Sequence, residues 1–192
     1  VDAMAGRLPD AGLLVGWSLG AMLALCMASR YPAKVRGLLL IAGSPHMRSE
    51  ADWGCGLDAA LLEKFRTGFR QAPERMMRRF LAMQLVGEAQ PQQARQLLES
   101  ALCDAGTSRE ALERGLEILF SADLRKATLV PDLPLTLVHG RADEIMPVAG
   151  SEWLHQQYPA SQLLIVENAG HAPLLAEPEK LAELIRALHD AA

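Results

Sequence analysis

The sequence has little cysteine and no surplus of basic charge. Its three cysteines, Cys26, Cys55 and Cys103, are odd in number and form no Cys-x-x-Cys pair. That disfavours a disulfide framework and suits free thiols in a reducing compartment, so a cytoplasmic location is expected. No His/Cys cluster has metal-ligand spacing, and no Gly-rich phosphate loop occurs, so neither a metal nor a cofactor is expected. Lys and Arg number 19 against 23 Asp and Glu, a formal net charge of −4, which argues against a nucleic-acid partner. The opening VDAMAGRLPD has no apolar run behind a basic start, so no signal peptide is read there. Internal repeats and low-complexity tracts are missing as well. What is there is a chain of 192 residues, half of them apolar. That is enough for one substantial domain, or for a domain with an insertion.

The longest uncharged run, Ala11 to Ser29, has the hydropathy of a membrane helix. A span needs about twenty apolar residues in one continuous helix. Here Gly12, Gly16, Ser18 and Gly20 interrupt the run, so no membrane association is expected. Leu13–Val15 reads as a buried strand, and Ala21–Arg30, rich in Ala, Leu and Met, as a helix closed by Pro32. Val35–Ala42 reads as a second buried strand. Strand, helix and strand make a βαβ unit, which implies a parallel sheet.

The texture changes from Pro45 to about Lys126. Four helices are expected: Leu57–Phe69, Pro73–Val86, Pro91–Cys103 and Ser108–Phe120, the last with N-cap chemistry from Thr107 and Ser108. Alternation then resumes: strand Leu135–Val138, helix Val148–Gln157, strand Gln162–Val166, helix Pro178–His189. The layout predicts an α/β core over 1–44 and 127–192, with a helical cap over 45–126 inserted into it.

Gly16-Trp17-Ser18-Leu19-Gly20 is a G-x-S-x-G stretch between strand and helix, the context of a nucleophile elbow. A tight turn leaves the serine hydroxyl exposed, and the helix behind it brings its positive end close. A serine needs a base, and the base an orienting acid. Asp143 in LVHGRADEIMP and His171 in LLIVENAGHAPLL lie in loops after predicted strands, in the order Ser, Asp, His. Three polar residues at the ends of parallel strands converge on one edge of the sheet. Other candidates fit less well. Glu144 neighbours the better-placed Asp143. His139 reads as the end of a strand and His46 as solvated loop. His155 and His189 fall on surface helices, and Cys26 in buried packing.

At these residues the chain resembles the α/β-hydrolase superfamily, and within it the pimeloyl-[acyl-carrier protein] methyl ester esterases. GWSLG at 16–20, RFLAMQ at 79–84, GLEILFSADLR at 115–125 and NAGHAPLLAEP at 168–178 carry the resemblance. It implies a carboxylesterase of biotin biosynthesis that releases methanol from the carrier-bound ester. Ser18 would be the nucleophile, His171 the base, Asp143 its orienting acid and the Leu19 amide an oxyanion donor. Trp17 and Phe80 would be walls of the acyl pocket, with a place in the cap's own packing an equal alternative for Phe80. A monomer is expected.

Charge adds a second pointer. Lys64 to Arg79 holds six basic residues and one acid, and Arg75, Arg78 and Arg79 share a helix face. Such a run is usually a solvated face. Acyl carrier proteins are acidic, and beside an acyl pocket the run would steer one in. The resemblance puts Arg75 first for that contact, then Arg79 and Arg95. The family also carries a His-Gly-x-Gly loop before the nucleophile, and nothing here corresponds to it. The sequence therefore reads as an incomplete chain, with the Leu13–Val15 strand short of a neighbour on one side. Two alternatives stay open at this stage: another α/β hydrolase acting on small esters or lactones, and a non-catalytic binding protein of the same fold.

Overall fold

The computed structural model describes residues 1–8, 11–88, 91–104 and 108–191. Among them, four strands form one parallel sheet in the order β1-β2-β3-β4: β1 Gly12–Trp17, β2 Val35–Ile41, β3 Leu135–Gly140 and β4 Gln162–Val166. The helices are α1 Asp2–Ala5, α2 Leu19–Arg30, α3 Ala59–Gln71, α4 Pro73–Gln84, α5 Pro91–Asp104, α6 Arg109–Ser121, α7 Ala149–Gln157, α8 Pro173–Ala176 and α9 Pro178–Ala191. No helix among the described residues is long and apolar enough to cross a membrane.

Side-chain alternation explains why the strands read as nearly continuous apolar runs. Successive residues point to opposite faces, and here both faces are covered. Leu38, Leu40, Leu135 and Leu137 pack against Ala21, Leu25 and Ala28 of α2 and Leu154 of α7. Leu39, Ile41, Val138 and Val166 pack on the other face against Leu181, Leu184, Ile185 and Leu188 of α9. Burying each such side chain contributes about 1.5–3 kcal/mol. β1 pairs with β2 alone among the described residues, and its Val15 is half exposed.

The stretch between β2 and β3 carries α3 to α6, each amphipathic rather than apolar all round. Asp58 caps α3, its Oδ1 accepting from the Ala60 and Leu61 amides at 2.9 and 3.0 Å. Ser108 caps α6 by accepting from the Ala111 amide, while Thr107 lies outside the described residues. Both helices start one or two residues after the expected point, because a capping residue keeps non-helical backbone. Met22, Met47, Leu62, Leu119, Ile145 and Met146 join this helical layer to the sheet.

Several expectations need correction. α2 begins at Leu19, two residues before the expected start, and ends at Arg30 as expected, with Pro32 just beyond its cap opening a short 3-10 turn, Pro32–Lys34. The short helices α1 and α8 were not expected. Cys26 is only partly buried, since it falls at the margin of the α2 stripe, and like Cys55 it is a free thiol; the Cys103 side chain lies outside the described residues. His46 is not solvated. It is 3% exposed, bonds through Nδ1 to the Ala122 carbonyl, and its own carbonyl accepts from the Trp53 indole. The loop after β2 folds under the linker leaving α6, and Arg125 locks it there through Glu50 and Asp52.

Candidate active site

β1 ends in a turn that the sequence makes unusually tight. Ser18 has φ 57° and ψ −120°, a strained conformation for a residue with a side chain. Its backbone N–H donates to the Ile41 carbonyl at 2.9 Å, fixing the turn to β2. A Cβ at Gly16 would stand 2.5 Å from the Gly20 carbonyl carbon and 2.7 Å from the Ala21 nitrogen. Only glycine fits there. Gly20 is different: a Cβ on it would meet nothing within 4 Å. Of the two glycines in the G-x-S-x-G stretch, the close backbone approach belongs to Gly16 alone. Leu19 opens α2, so its amide lacks an acceptor within the helix and lies at the positive end of the helix dipole.

Asp143 follows β3 and His171 follows β4, both beyond the carboxyl ends of their strands. The Ser18 hydroxyl lies 2.8 Å from His171 Nε2, and His171 Nδ1 donates to Asp143 Oδ2 at 2.8 Å. His171 is 1% and Asp143 7% exposed. The other carboxylate oxygen, Oδ1, accepts from the Ile145 and Met146 amides at 2.8 and 2.9 Å. Burial alone would raise the Asp143 pKa. Hydrogen bonds from His139 and His171 outweigh it and hold the carboxyl below its usual range.

His139 is the residue that sequence reasoning set aside. It is the penultimate residue of β3, near the strand's end as expected, and it is fully buried. Its Nε2 faces two acceptors, the Met146 carbonyl at 2.8 Å and Asp143 Oδ2 at 3.1 Å, so it carries its hydrogen. Nδ1 sits 2.7 Å from the Ser151 hydroxyl, which also lies 3.0 Å from the Gly43 carbonyl. The carboxylate is thus shared by two histidines. The signal was present in the sequence as a His four residues before the Asp, across the turn out of a strand.

Trp17 does more than line the cavity. Its indole Nε1 donates to the His171 carbonyl at 2.7 Å, and the two rings are 5.7 Å apart. The cavity over Ser18 has a volume of about 340 Å³ and is walled by Trp17, Leu19, Phe65, Phe80, Leu116 and His171. A second cavity of about 240 Å³ shares Phe65, Phe80 and Leu116 with it, and Lys64, Arg75 and Arg79 stand at its margin. Phe80 therefore serves both as a wall and in packing, with its ring edge-on to Phe65 at 5.7 Å. Arg75, Arg78 and Arg79 are exposed, and among the described residues they make no ion pair. Arg95 differs, since its guanidinium donates to Glu99 at 2.9 Å.

This geometry sets a serine hydroxyl within hydrogen-bond reach of a buried histidine, beneath an apolar cavity. The family profile described as the alpha/beta hydrolase fold matches residues 7–178. The pimeloyl-[acyl-carrier protein] methyl ester esterase of Aromatoleum aromaticum is 38% identical over 190 residues, covering 96% of this chain and 76% of that protein. The chain belongs to this esterase family. The relative of the same name from Nitrosomonas europaea is 33% identical, with 97% of this chain and 75% of that one covered. As an esterase of the α/β-hydrolase fold, the chain is a carboxylic ester hydrolase. Among solved structures, the esterase EaEST from Exiguobacterium antarcticum superposes with a TM-score of 0.82 at 20% identity. It covers 96% of this chain and 69% of that one. A bromoperoxidase from Bacillus anthracis gives 0.84 at 19%, covering 98% and 71%. At these identities the two structures speak for the fold alone.

Proposed function

We propose that the chain hydrolyses the methyl ester of pimeloyl-acyl carrier protein in the cytoplasm, with Ser18, His171 and Asp143 as its catalytic triad. The observation that supports this most is the unbroken relay from Ser18 through His171 to Asp143, at 2.8 Å in each step, at the floor of an apolar cavity. Ser18 Oγ attacks the ester carbonyl while His171 Nε2 takes its proton. The carbonyl oxygen becomes an oxyanion, and the Leu19 amide donates to it. Collapse of the tetrahedral species breaks the bond to methoxide, which leaves as methanol with the proton from His171. Water then gives its proton to His171 and attacks the acyl-enzyme. The second tetrahedral species breaks its bond to Ser18 Oγ, which takes the proton back from His171, leaving a restored Ser18 and the acid, which ionises to the free carboxylate. Asp143 stays ionised throughout and stabilises the imidazolium.

The apolar walls, Trp17 and Phe80 among them, take the methylene chain. The helical layer over 45–126 acts as the cap, and the carrier, being acidic, docks on Arg75 and Arg79. Arg95 adds to this field less, because Glu99 already neutralises it. We test this by turnover of two substrates in rising salt. The carrier-linked ester should slow with ionic strength while a small neutral ester should not. Equal salt responses would remove the carrier-docking role of the arginines. Hydrolysis of the small ester with no turnover of the carrier-linked one would make the chain a small-ester hydrolase instead.

A further inference from the structure

The segment leaving α4 is pressed against both loops that carry the relay. A Cβ at Gly170, the residue before His171, would fall inside contact distance of the Val86 carbonyl. Gly87 has φ 80°, and a Cβ on it would stand 2.5 Å from that of Ala142, the residue before Asp143. Next in the chain is Glu88, half-buried, whose Oε1 accepts from the Gly170 amide at 3.0 Å and the Ala172 amide at 3.1 Å. One carboxylate oxygen thereby holds the backbone amides of the two residues that flank His171.

We propose that Glu88 is a positioning residue for His171, through which the seating of α4 on the core sets the geometry of the base. The inference rests on the reading of His171 as that base. Other holds on this loop are the Trp17 indole on the His171 carbonyl, Asp143 on the ring and the Ala142 amide on the Ala169 carbonyl. None of them accepts from the Gly170 or Ala172 amide. Without Glu88, Gly170 N–H and Ala172 N–H lose their acceptor beside a buried ring, and each of the two peptides is held by its carbonyl alone. A small rotation there swings Nε2 away from the Ser18 hydroxyl. Burial pushes the Glu88 carboxyl up from the ordinary glutamate range, against the two amide bonds that favour its charged form. A group held in place at that cost is one whose acceptor oxygen the loop uses.

Steady-state kinetics on a small p-nitrophenyl ester test this, since such an ester does not need the arginines. Glu88→Ala should lower kcat on the order of tenfold while leaving KM within about twofold, the pattern of a misplaced base. Glu88→Gln, whose amide oxygen can accept the same two bonds, should keep kcat within about threefold. The low-field proton signal of His171 Nδ1–H should persist in Glu88→Gln and broaden in Glu88→Ala. Should Glu88→Ala fail to fold, Glu88→Asp, one methylene short of the amides, should give the same fall. Undiminished kcat in Glu88→Ala, or an equal fall in Glu88→Gln, would overturn the role. A His171→Ala variant as active as the parent would instead overturn the triad reading beneath it.

Discussion

The carboxyl edge of the sheet and the helical layer above it solve different problems with different chemistry. At the sheet edge, polar groups are buried and each is held several times over. Asp143 accepts hydrogen bonds from His171 and two backbone amides, and His139 Nε2 lies 3.1 Å from its Oδ2. In the layer above, side chains facing the cavity are apolar and those facing solvent are charged, with Lys64, Arg75 and Arg79 at the rim. The edge fixes geometry to tenths of an ångström, which bond-making requires. The layer supplies shape and charge, which on the proposed function decide what arrives. Damage to the first should therefore act on every substrate, and damage to the second on some.

The largest expected effect breaks the edge itself. Asp143→Asn, which leaves His171 without its ionised partner, should cost about 10⁴ in kcat on any ester, measured against total folded protein. Next come the two glycines of the elbow, which sharpen the comparison within a single turn. Gly16→Ala forces a Cβ into the Gly20 backbone and should cost on the order of 3 kcal/mol, read from denaturant midpoints. Gly20→Ala enters open space at a helix start and should be neutral, or stabilising by up to about 1 kcal/mol. His139→Phe should cost about 1–3 kcal/mol, because the Met146 carbonyl and the Ser151 hydroxyl lose a buried partner. It should also lower kcat on all substrates alike.

Reversing charge in the upper layer should behave differently. Arg75→Glu with Arg79→Glu should lower kcat/KM for the carrier-linked ester about tenfold and leave a small neutral ester within about twofold. A fall on both substrates would mean the arginines hold the cap together rather than steer. The smallest effect concerns pH. The Asp143 carboxyl is held below its usual range in the folded state, so it contributes stability that is present above the unfolded carboxylate pKa and is lost as pH falls through the folded value. Acidification from about pH 6 to about pH 3 should thus lower the denaturation midpoint of the parent more than that of Asp143→Asn.

The elbow, the convergence of Ser18, Asp143 and His171 and the alternation of strand with helix could be read from the chain because each rests on local pattern. Gly16-x-Ser18-x-Gly20 sits where an apolar strand meets an Ala-rich helix, and Asp143 and His171 each follow an apolar run. His139 was misjudged because its role depends on a partner reached only once β3 turns back on itself. His46 was misjudged because what buries it, the linker beyond α6, lies far along the chain. Glu88 carried no signal at all: one acid after a helix, its two partners more than eighty residues away. Long-range contacts of a loop leave no periodicity to read.

The most direct measurement presents the chain with the methyl ester of pimeloyl-acyl carrier protein and follows the carrier by intact mass. The account predicts conversion to the free carboxylate with release of one methanol per carrier, and no conversion by Ser18→Ala. Carrier that keeps its methyl ester in the presence of the folded parent chain, or loses it equally with Ser18→Ala, would contradict it.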